Sequence, residues 1–525
     1  MTPGGRRTGT GHCGKTDKVR AAVCFAGAFS IYSHRRLRTD RAAGLPMRDV
    51  IPVKILLISP NLSITPSPVY PIGLDYVAGA ISPRHEVQIA DLNEKTGLEG
   101  MKDAIRAYDP DVIGLSLRNI DNLDAFATKS YSSDYRRVAA AIRQTTGAKI
   151  ILGGSGFTIF PSELMEALDA DYGIAGDGEQ LTLLLDALAA CGDASSIPGV
   201  WIGGSPCARL PGATNRSFRR HFDVNSPHVR YYLRRGGIFN LQTKRGCPYR
   251  CIYCTYPHID GGTLRFSDPD EVAQDALTLQ QAGAKYLFIT DSTFNCHTGH
   301  SLEVAKAFIR AHLSVPWGAF FAPFKAKANY YDIMAEAGLT HVEFGTESLC
   351  DSVLSAYGKP FRTEDVFHAH EQAADAGLHI AHYLLLGGPG EDEKTLKKTL
   401  ENAETLEKAV LIPFCGMRIY PHTPIHAIAI QEGQIARNRN LLEPVFYSSP
   451  ALNLKTAMES VARCAAGRPH WIPCGGNEES GRVVSRLHAH GHSGPLWEHL
   501  IPGKPGTPQT GRTGRDAEAD EGPFH

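Results

Sequence analysis

Two successive series of alternating strand-like and helix-like segments place this chain in the α/β class. They predict a doubly wound (Rossmann/flavodoxin-like) domain followed by a partial (β/α)6 barrel. From Val53 to Leu188, apolar runs of strand length alternate with segments of helical spacing, the pattern of a parallel sheet with crossover helices. The alternation stops at a connector with Pro, Gly and Arg. It resumes at Ile238 for six units rather than the eight of a complete barrel.

In the first series, Val53–Ser59 (VKILLIS) is a near-continuous apolar run, as expected of a strand buried on both faces. Ile72–Ile81 has helical spacing. His85–Leu92, Met101–Tyr108, Asp111–Leu117, Tyr135–Gln144, Ala148–Gly154, Ser162–Leu168, Tyr172–Gly176 and Glu179–Leu188 continue the alternation. Sheets of this kind bind ligands beyond the carboxyl ends of their strands. In the second series the strands are Ile238–Gly246, Lys285–Asp291, Trp317–Phe324, His341–Ser348, His379–Gly388 and Leu411–Pro421, with helical spacing between them. The resulting plan is a poorly structured extension (1–50), a first domain (51–195), a linker (196–235), the barrel (236–430) and a C-terminal region (431–525). The last of these is partly disordered in this reading, because from about Gly467 the aliphatic pattern fails.

Composition narrows the function. With 54 basic and 55 acidic residues the net charge is −1, so no basic excess points to nucleic acid. No apolar run approaches the ~18 residues of a membrane span. Twelve cysteines in 525 residues are too sparse for a disulfide scaffold and fit a reducing, cytoplasmic setting. Val19–Phe29 is apolar enough to resemble a short signal h-region, but export would not suit the chemistry below. Met47, just ahead of the first convincing strand, is an alternative start that would leave residues 1–46 upstream of the natural protein.

The most informative stretch is Lys244–Pro257, KRGCPYRCIYCTYP. Cys247, Cys251 and Cys254 fall there at spacings of four and three. A tetrahedral structural zinc site takes four ligands, commonly as two close pairs. No second pair lies nearby, although Cys296 would complete such a site. Iron–sulfur clusters are also held by thiolates, and three thiolates on a cubane leave one iron open to a ligand.

CPYRCIYC resembles the CxxxCxxC motif of the radical S-adenosylmethionine (SAM) superfamily, and it follows the first strand of a β/α series as that motif does. The resemblance implies a [4Fe–4S] cluster on Cys247, Cys251 and Cys254, with the open iron binding the amino and carboxylate groups of SAM. It places Tyr253 near the adenine. Asp291 and Ser292 of ITDSTFN would lie against the methionine end, and Glu347 of FGTES would meet ribose hydroxyls or the ammonium. Gly387 and Gly388 of LLLGGPGED would let the backbone approach a flat ligand. Singly, each of these also reads as a core aromatic, a turn or a helix cap; their order along one barrel favours the site. Cys350, soon after FGTES, is either reactive or simply packed.

A doubly wound domain ahead of such a barrel resembles the cobalamin-binding domain of the B12-dependent radical SAM enzymes. The matching segments carry Gly73, then Ser116, Arg118 and Asn119, then Gly153, Gly154, Ser155 and Thr158, then Gly176 and Glu179. By this resemblance Gly153 and Gly154 admit the cofactor's nucleotide tail, Ser155 and Thr158 bond its phosphate or base, and Ser116, Arg118 and Asn119 lie at the corrin's lower face or side amides. The alternative is a flavodoxin-like domain without ligand. One departure is clear: residues 51–200 lack the DxHxxG motif that supplies a histidine to cobalt. The resemblance therefore implies a lower axial position without histidine.

The family resemblance, over roughly residues 53–430, implies a methyltransferase acting on an unactivated carbon of a small-molecule or lipid-like metabolite. One SAM would be cleaved to a deoxyadenosyl radical and another would re-methylate cobalt. An electron donor such as flavodoxin or ferredoxin would be required. The competing readings are B12-dependent rearrangement, cyclisation or oxidation without methyl transfer, and a corrinoid-binding sensor or carrier with an inactive barrel.

Overall fold

The computed structural model describes residues 52–61, 68–207, 220–476 and 478–501. The expectations for residues 1–50, including Val19–Phe29 and Met47, lie outside these, as does the end of the tail. The described residues all belong to one compact unit.

Five parallel strands begin it: β1 (Lys54–Ser59), β2 (Glu86–Asp91), β3 (Val112–Ser116), β4 (Lys149–Gly153) and β5 (Tyr172–Ile174), in spatial order 2-1-3-4-5. Strand order reverses between β1 and β3, where doubly wound sheets bind ligands. The apolar run of β1 is buried on both faces: Leu56 and Ile58 pack into one cluster, Ile55 and Leu57 into another.

The stretch read as a linker is more structured than its composition indicates. β6 (Val200–Ile202) and β7 (Ser205–Pro206) add an antiparallel hairpin beside β5. Gly203 and Gly204, with φ of 59° and 77°, form its turn; a type I′ turn needs positive φ at both positions, and a Gly-Gly pair between apolar residues is its sequence signal. A helix follows at Pro227–Arg234.

The second sheet contains β8 (Ile238–Leu241), then, after the short ribbon of β9 (Lys244–Arg245) and β10 (Arg265–Phe266), the strands β11 (Tyr286–Ile289), β12 (Trp317–Phe321), β13 (Leu339–Glu347), β14 (His379–Leu386) and β15 (Ala409–Cys415). The six large strands are parallel, and each pairs with its neighbour in chain order. Outward residues such as Leu287, Trp317, Val342 and Ile380 are fully buried against the helices. Inward ones differ: Phe288, Tyr383 and Phe414 are half-buried and Phe320 is 38% exposed. Nearer the amino ends, Ala381, Val410 and Ile412 are buried against Ile501 of the tail, so the C-terminal segment covers part of the inner face.

The tail is packed as far as Ile501, where the failing aliphatic pattern indicates disorder. The Leu411 N–H donates to the His470 carbonyl and the Ile472 N–H to the Leu411 carbonyl, both at 2.8 Å. Residues 470–472 therefore cover the edge of β15, which an unclosed barrel would leave open. Further on, Trp497 Nε1 donates to Glu343 at 3.2 Å, and Ile501 packs on Ala381, Val410 and Ile412.

Candidate active site

The cysteine loop is built by the β9–β10 ribbon. Gly246 has φ +91°, and a side chain there would strike the Thr263 carbonyl, so only glycine lets the loop close. The Cys247 N–H donates to the Gly261 carbonyl (3.1 Å), Ile252 N–H to the Tyr357 carbonyl (3.1 Å), and Ile425 N–H to the Ile252 carbonyl (3.0 Å). Cys247 is buried, Cys251 and Cys254 are half-buried, and all three are free thiols. Burial pushes the Cys251 thiol up and pushes Cys254 to about 12, with the other loop thiolates adding repulsion. Such thiols ionise readily only when a cationic centre binds them, so the donor set fits an iron–sulfur cluster. Among the described residues no three His, Cys, Asp or Glu side chains converge as ligands of a single metal ion. Thiolates of a cubane sit on separate irons and need not converge on one ion.

Beside the loop, Tyr253 Oη donates to Glu347 Oε1 at 2.7 Å, and Lys359 Nζ donates to both at 3.1 Å. Glu347 has φ +62°, at an irregularity where β13 meets β14. A left-handed non-glycine residue of this kind persists only when its surroundings hold it. Here Thr346 Oγ1 is bonded to His382 Nδ1 (2.8 Å), His382 Nε2 to His370 Nδ1 (3.1 Å), and Ser348 Oγ to Thr399 Oγ1 (2.9 Å).

The other SAM-side residues are engaged by the protein. Asp291 accepts from Thr243 N–H (2.8 Å), Thr243 Oγ1 (2.6 Å), Lys244 N–H (3.3 Å) and Lys244 Nζ (2.7 Å). Ser292 Oγ donates to the Gly246 carbonyl (3.1 Å). A side chain on Gly387 would clash with Leu454, and one on Gly388 would stand 2.5 Å from the Tyr357 ring. The close approach these glycines permit is made by protein side chains. The Gly387 N–H donates to Glu391 and the Gly388 N–H to Tyr357 Oη. Cys350 is buried, with Sγ 3.3 Å from Ser352 Oγ.

All ten residues assigned to cobalamin lie at or beyond the carboxyl ends of the first sheet or at the start of the helix after β1. Gly73 begins that helix with open space around its Cα. Ser116 and Gly153 pair across β3 and β4. Gly154 has φ +95°, and a Cβ there would lie 2.6 Å from the Leu117 carbonyl. Ser155 Oγ donates to the Arg118 carbonyl (3.0 Å), and Thr158 Oγ1 donates to the Gly154 carbonyl and accepts from Gly176 N–H. The Asn119 carbonyl accepts from Tyr135 Oη at 2.5 Å. Glu179 is turned toward the barrel: its two oxygens accept from Arg245 at 3.0 and 2.7 Å, while Asp177 pairs with Arg265. Arg118 has no ion pair with a described residue. Burial holds its guanidinium below its ordinary value, and Tyr232, Tyr135, Tyr256 and Asp91 surround it. His85, the only histidine between residues 52 and 207, sits at the amino end of β2, where its ring bonds Val53 N–H and Asp186.

The two sheets meet at their carboxyl ends. His258 of the cysteine loop donates to the Thr158 carbonyl at 3.1 Å. Arg418, beyond β15, pairs with Asp121 at 2.8 Å with both side chains buried. Arg245, Arg265, Asp177, Lys359 and His258 escaped the sequence reading. Arg245 and His258 flank the cysteines, and Asp177 lies within the AGDGE segment. Lys359 carried no signal beyond its place after Gly358.

The structure thus sets a half-barrel carrying three thiols against the strand ends of a doubly wound sheet. The Radical SAM superfamily model matches residues 241–403 and the B12 binding domain model matches residues 61–185. The chain belongs to the radical SAM superfamily, in the cobalamin-dependent group that joins a B12-binding domain to the radical domain. Tryptophan 2-C-methyltransferase of Streptomyces laurentii is 23% identical over 441 residues, 70% of this chain and 73% of the relative. Cytidylyl-2-hydroxyethylphosphonate methyltransferase of Streptomyces wedmorensis is 22% identical, over 67% of this chain and 77% of its own. The radical SAM methyltransferase TsrM of Kitasatospora setae, solved with cobalamin and a [4Fe–4S] cluster, superposes with a TM-score of 0.76 at 22% identity, covering 86% of this chain and 97% of its own. At that identity the likeness establishes the fold.

Proposed function

We propose that this protein transfers a methyl group to an unactivated carbon of a small-molecule or lipid-like metabolite bound between its two sheets. The observation that carries the reading is the junction itself. The face assigned to cobalamin and the three-thiol loop meet through the His258–Thr158 bond and the Arg245–Glu179 pair. The relatives' names support methyl transfer as the class of reaction, and their substrates differ from one another.

In this reading Cys247, Cys251 and Cys254 hold the cluster, Tyr253, Ser292 and Glu347 line the SAM side, Ser116, Arg118 and Asn119 line the corrin side, and Gly153 admits the nucleotide tail. When bound, the cluster supplies the electron that cleaves SAM, and the corrinoid carries the methyl group. The chain's own task is to orient and enclose. Tyr253, Glu347 and Lys359 brace one another at the barrel mouth, and the Arg245–Glu179 and Arg265–Asp177 pairs keep the two faces together. Holding reactants in register lowers the barrier by ~7–11 kcal/mol in well-oriented cases, and a closed site limits side reactions of a radical. A one-electron donor of the flavodoxin or ferredoxin kind supplies the reducing equivalents.

The test is anaerobic reconstitution, followed by incubation with reductant, methyl-labelled SAM and candidate metabolite extracts. Formation of deoxyadenosine and S-adenosylhomocysteine, with label in a product carbon, is expected. Deoxyadenosine with a converted but unlabelled product would replace methylation by rearrangement or oxidation.

A further inference from the structure

Lys359 lies outside the segments that the sequence singled out, yet the fold delivers it beside the cysteine loop. It follows the helix Asp351–Ala356, where two backbones meet. The Tyr357 carbonyl accepts from Ile252 N–H at 3.1 Å. Gly358 has φ +69°, and a Cβ on it would stand 2.7 Å from the Arg250 carbonyl and 3.8 Å from Cys251 Cα. Only glycine fits at 358, and the residue that follows is thereby held beside the backbone of the cysteine loop. The Lys359 side chain is 8% exposed. Its ammonium lies over the Tyr253 and Phe361 rings at 5.7 and 5.3 Å, in addition to its bonds to Tyr253 and Glu347.

A buried ammonium with one carboxylate partner beside three thiols has a physical use. Reducing an iron–sulfur centre adds a negative charge, and its potential depends on local net charge, hydrogen bonds and solvent exposure. We infer that Lys359 is the counter-charge of the three-thiolate centre, stabilising its reduced form and so raising its reduction potential, with Tyr253 and Glu347 fixing the ammonium in place. The inference rests on the cluster assignment to Cys247, Cys251 and Cys254 and adds what tunes that cluster. In this role Lys359 acts through the centre's charge, as a positioning and tuning residue.

The experiment uses the full chain, reconstituted anaerobically as wild type, Lys359→Met, Lys359→Arg and Glu347→Gln. Iron and sulfide are counted first. The midpoint potential is then read by electron paramagnetic resonance during a redox titration without SAM. Lys359→Met should move the midpoint to more negative values, and Lys359→Arg should restore it. Glu347→Gln should move it the opposite way, because a negative charge is removed. A merely structural role would not give shifts of opposite sign. If Lys359→Met cannot hold the centre, the sign of the Glu347→Gln shift decides alone. Full iron and sulfide with unchanged midpoints overturns this inference and leaves the cluster assignment standing. A wild-type chain that takes up no iron and sulfide overturns both.

Discussion

Lys244–Asp291 and Lys359–Glu347 flank the same cysteine loop at the same end of the barrel, with Nζ–O distances of 2.7 and 3.1 Å. In the first pair every strong group is answered by protein. Both side chains are 1% exposed, Asp291 accepts four bonds, and Lys244 Nζ also donates to the Phe294 carbonyl at 2.9 Å. In the second pair the carboxylate sits on left-handed backbone at the rim of the barrel. The first pair is a strut that ties the start of β9 to the segment after β11, and the second is poised at a site. Both carboxylates stand at the carboxyl end of a barrel strand, so position along the chain does not separate them. The count of protein donors does.

Breaking the strut should have the largest effect. Asp291→Ala leaves the Lys244 ammonium buried and unpaired, a change that costs about 3–5 kcal/mol. Glu347→Gln keeps an acceptor for Tyr253 and Lys359 and should cost less, about 1.5–3 kcal/mol, the scale of a hydrogen bond to a charged group. Urea unfolding of both variants in the cofactor-free state measures the gap, and equal losses would erase the distinction drawn between the pairs.

A third carboxyl sharpens the comparison because it has no cation at all. Glu391 accepts from Gly387 N–H and Tyr357 Oη, and its Oε1 has no partner among the described residues. Burial pushes its carboxyl up to about 7. The folded state therefore binds this proton more tightly than the unfolded chain, whose Glu titrates near ~4.3. Stability from this group is fully present below that value and is lost as pH rises through about 7. Glu391→Gln should flatten the dependence, removing a loss on the order of 3 kcal/mol across that window. An unchanged slope between wild type and variant would show that Glu391 does not titrate in this range.

What the sequence made legible was local. The apolar run of β1 and the glycine-bearing strand ends give both parallel sheets, because burial on two faces writes itself as continuous hydrophobicity. The CPYRCIYC spacing is likewise a local pattern. The partners of those residues were not legible. Glu179 and Arg245 are 66 positions apart, and nothing in AGDGE shows that its second carboxylate faces the barrel. Gly387 and Gly388 correctly mark a close approach, but a glycine does not say whether the neighbour is a ligand or, as here, Leu454 and Tyr357. The tail misled because its covering of β15 is largely a backbone matter, through His470 and Ile472, and backbone pairing leaves little imprint on composition.

The central claim is that the first sheet holds cobalamin at its carboxyl ends, facing the three-thiol loop, without a histidine on cobalt. His85, the one histidine of that region, is bonded at the opposite end of the sheet. Electron paramagnetic resonance of the Co(II) form of the loaded chain tests this most directly. Bound cobalt should give a signal without nitrogen splitting from a protein histidine; a strong nitrogen hyperfine pattern from such a ligand would place a histidine on cobalt and refute the assignment.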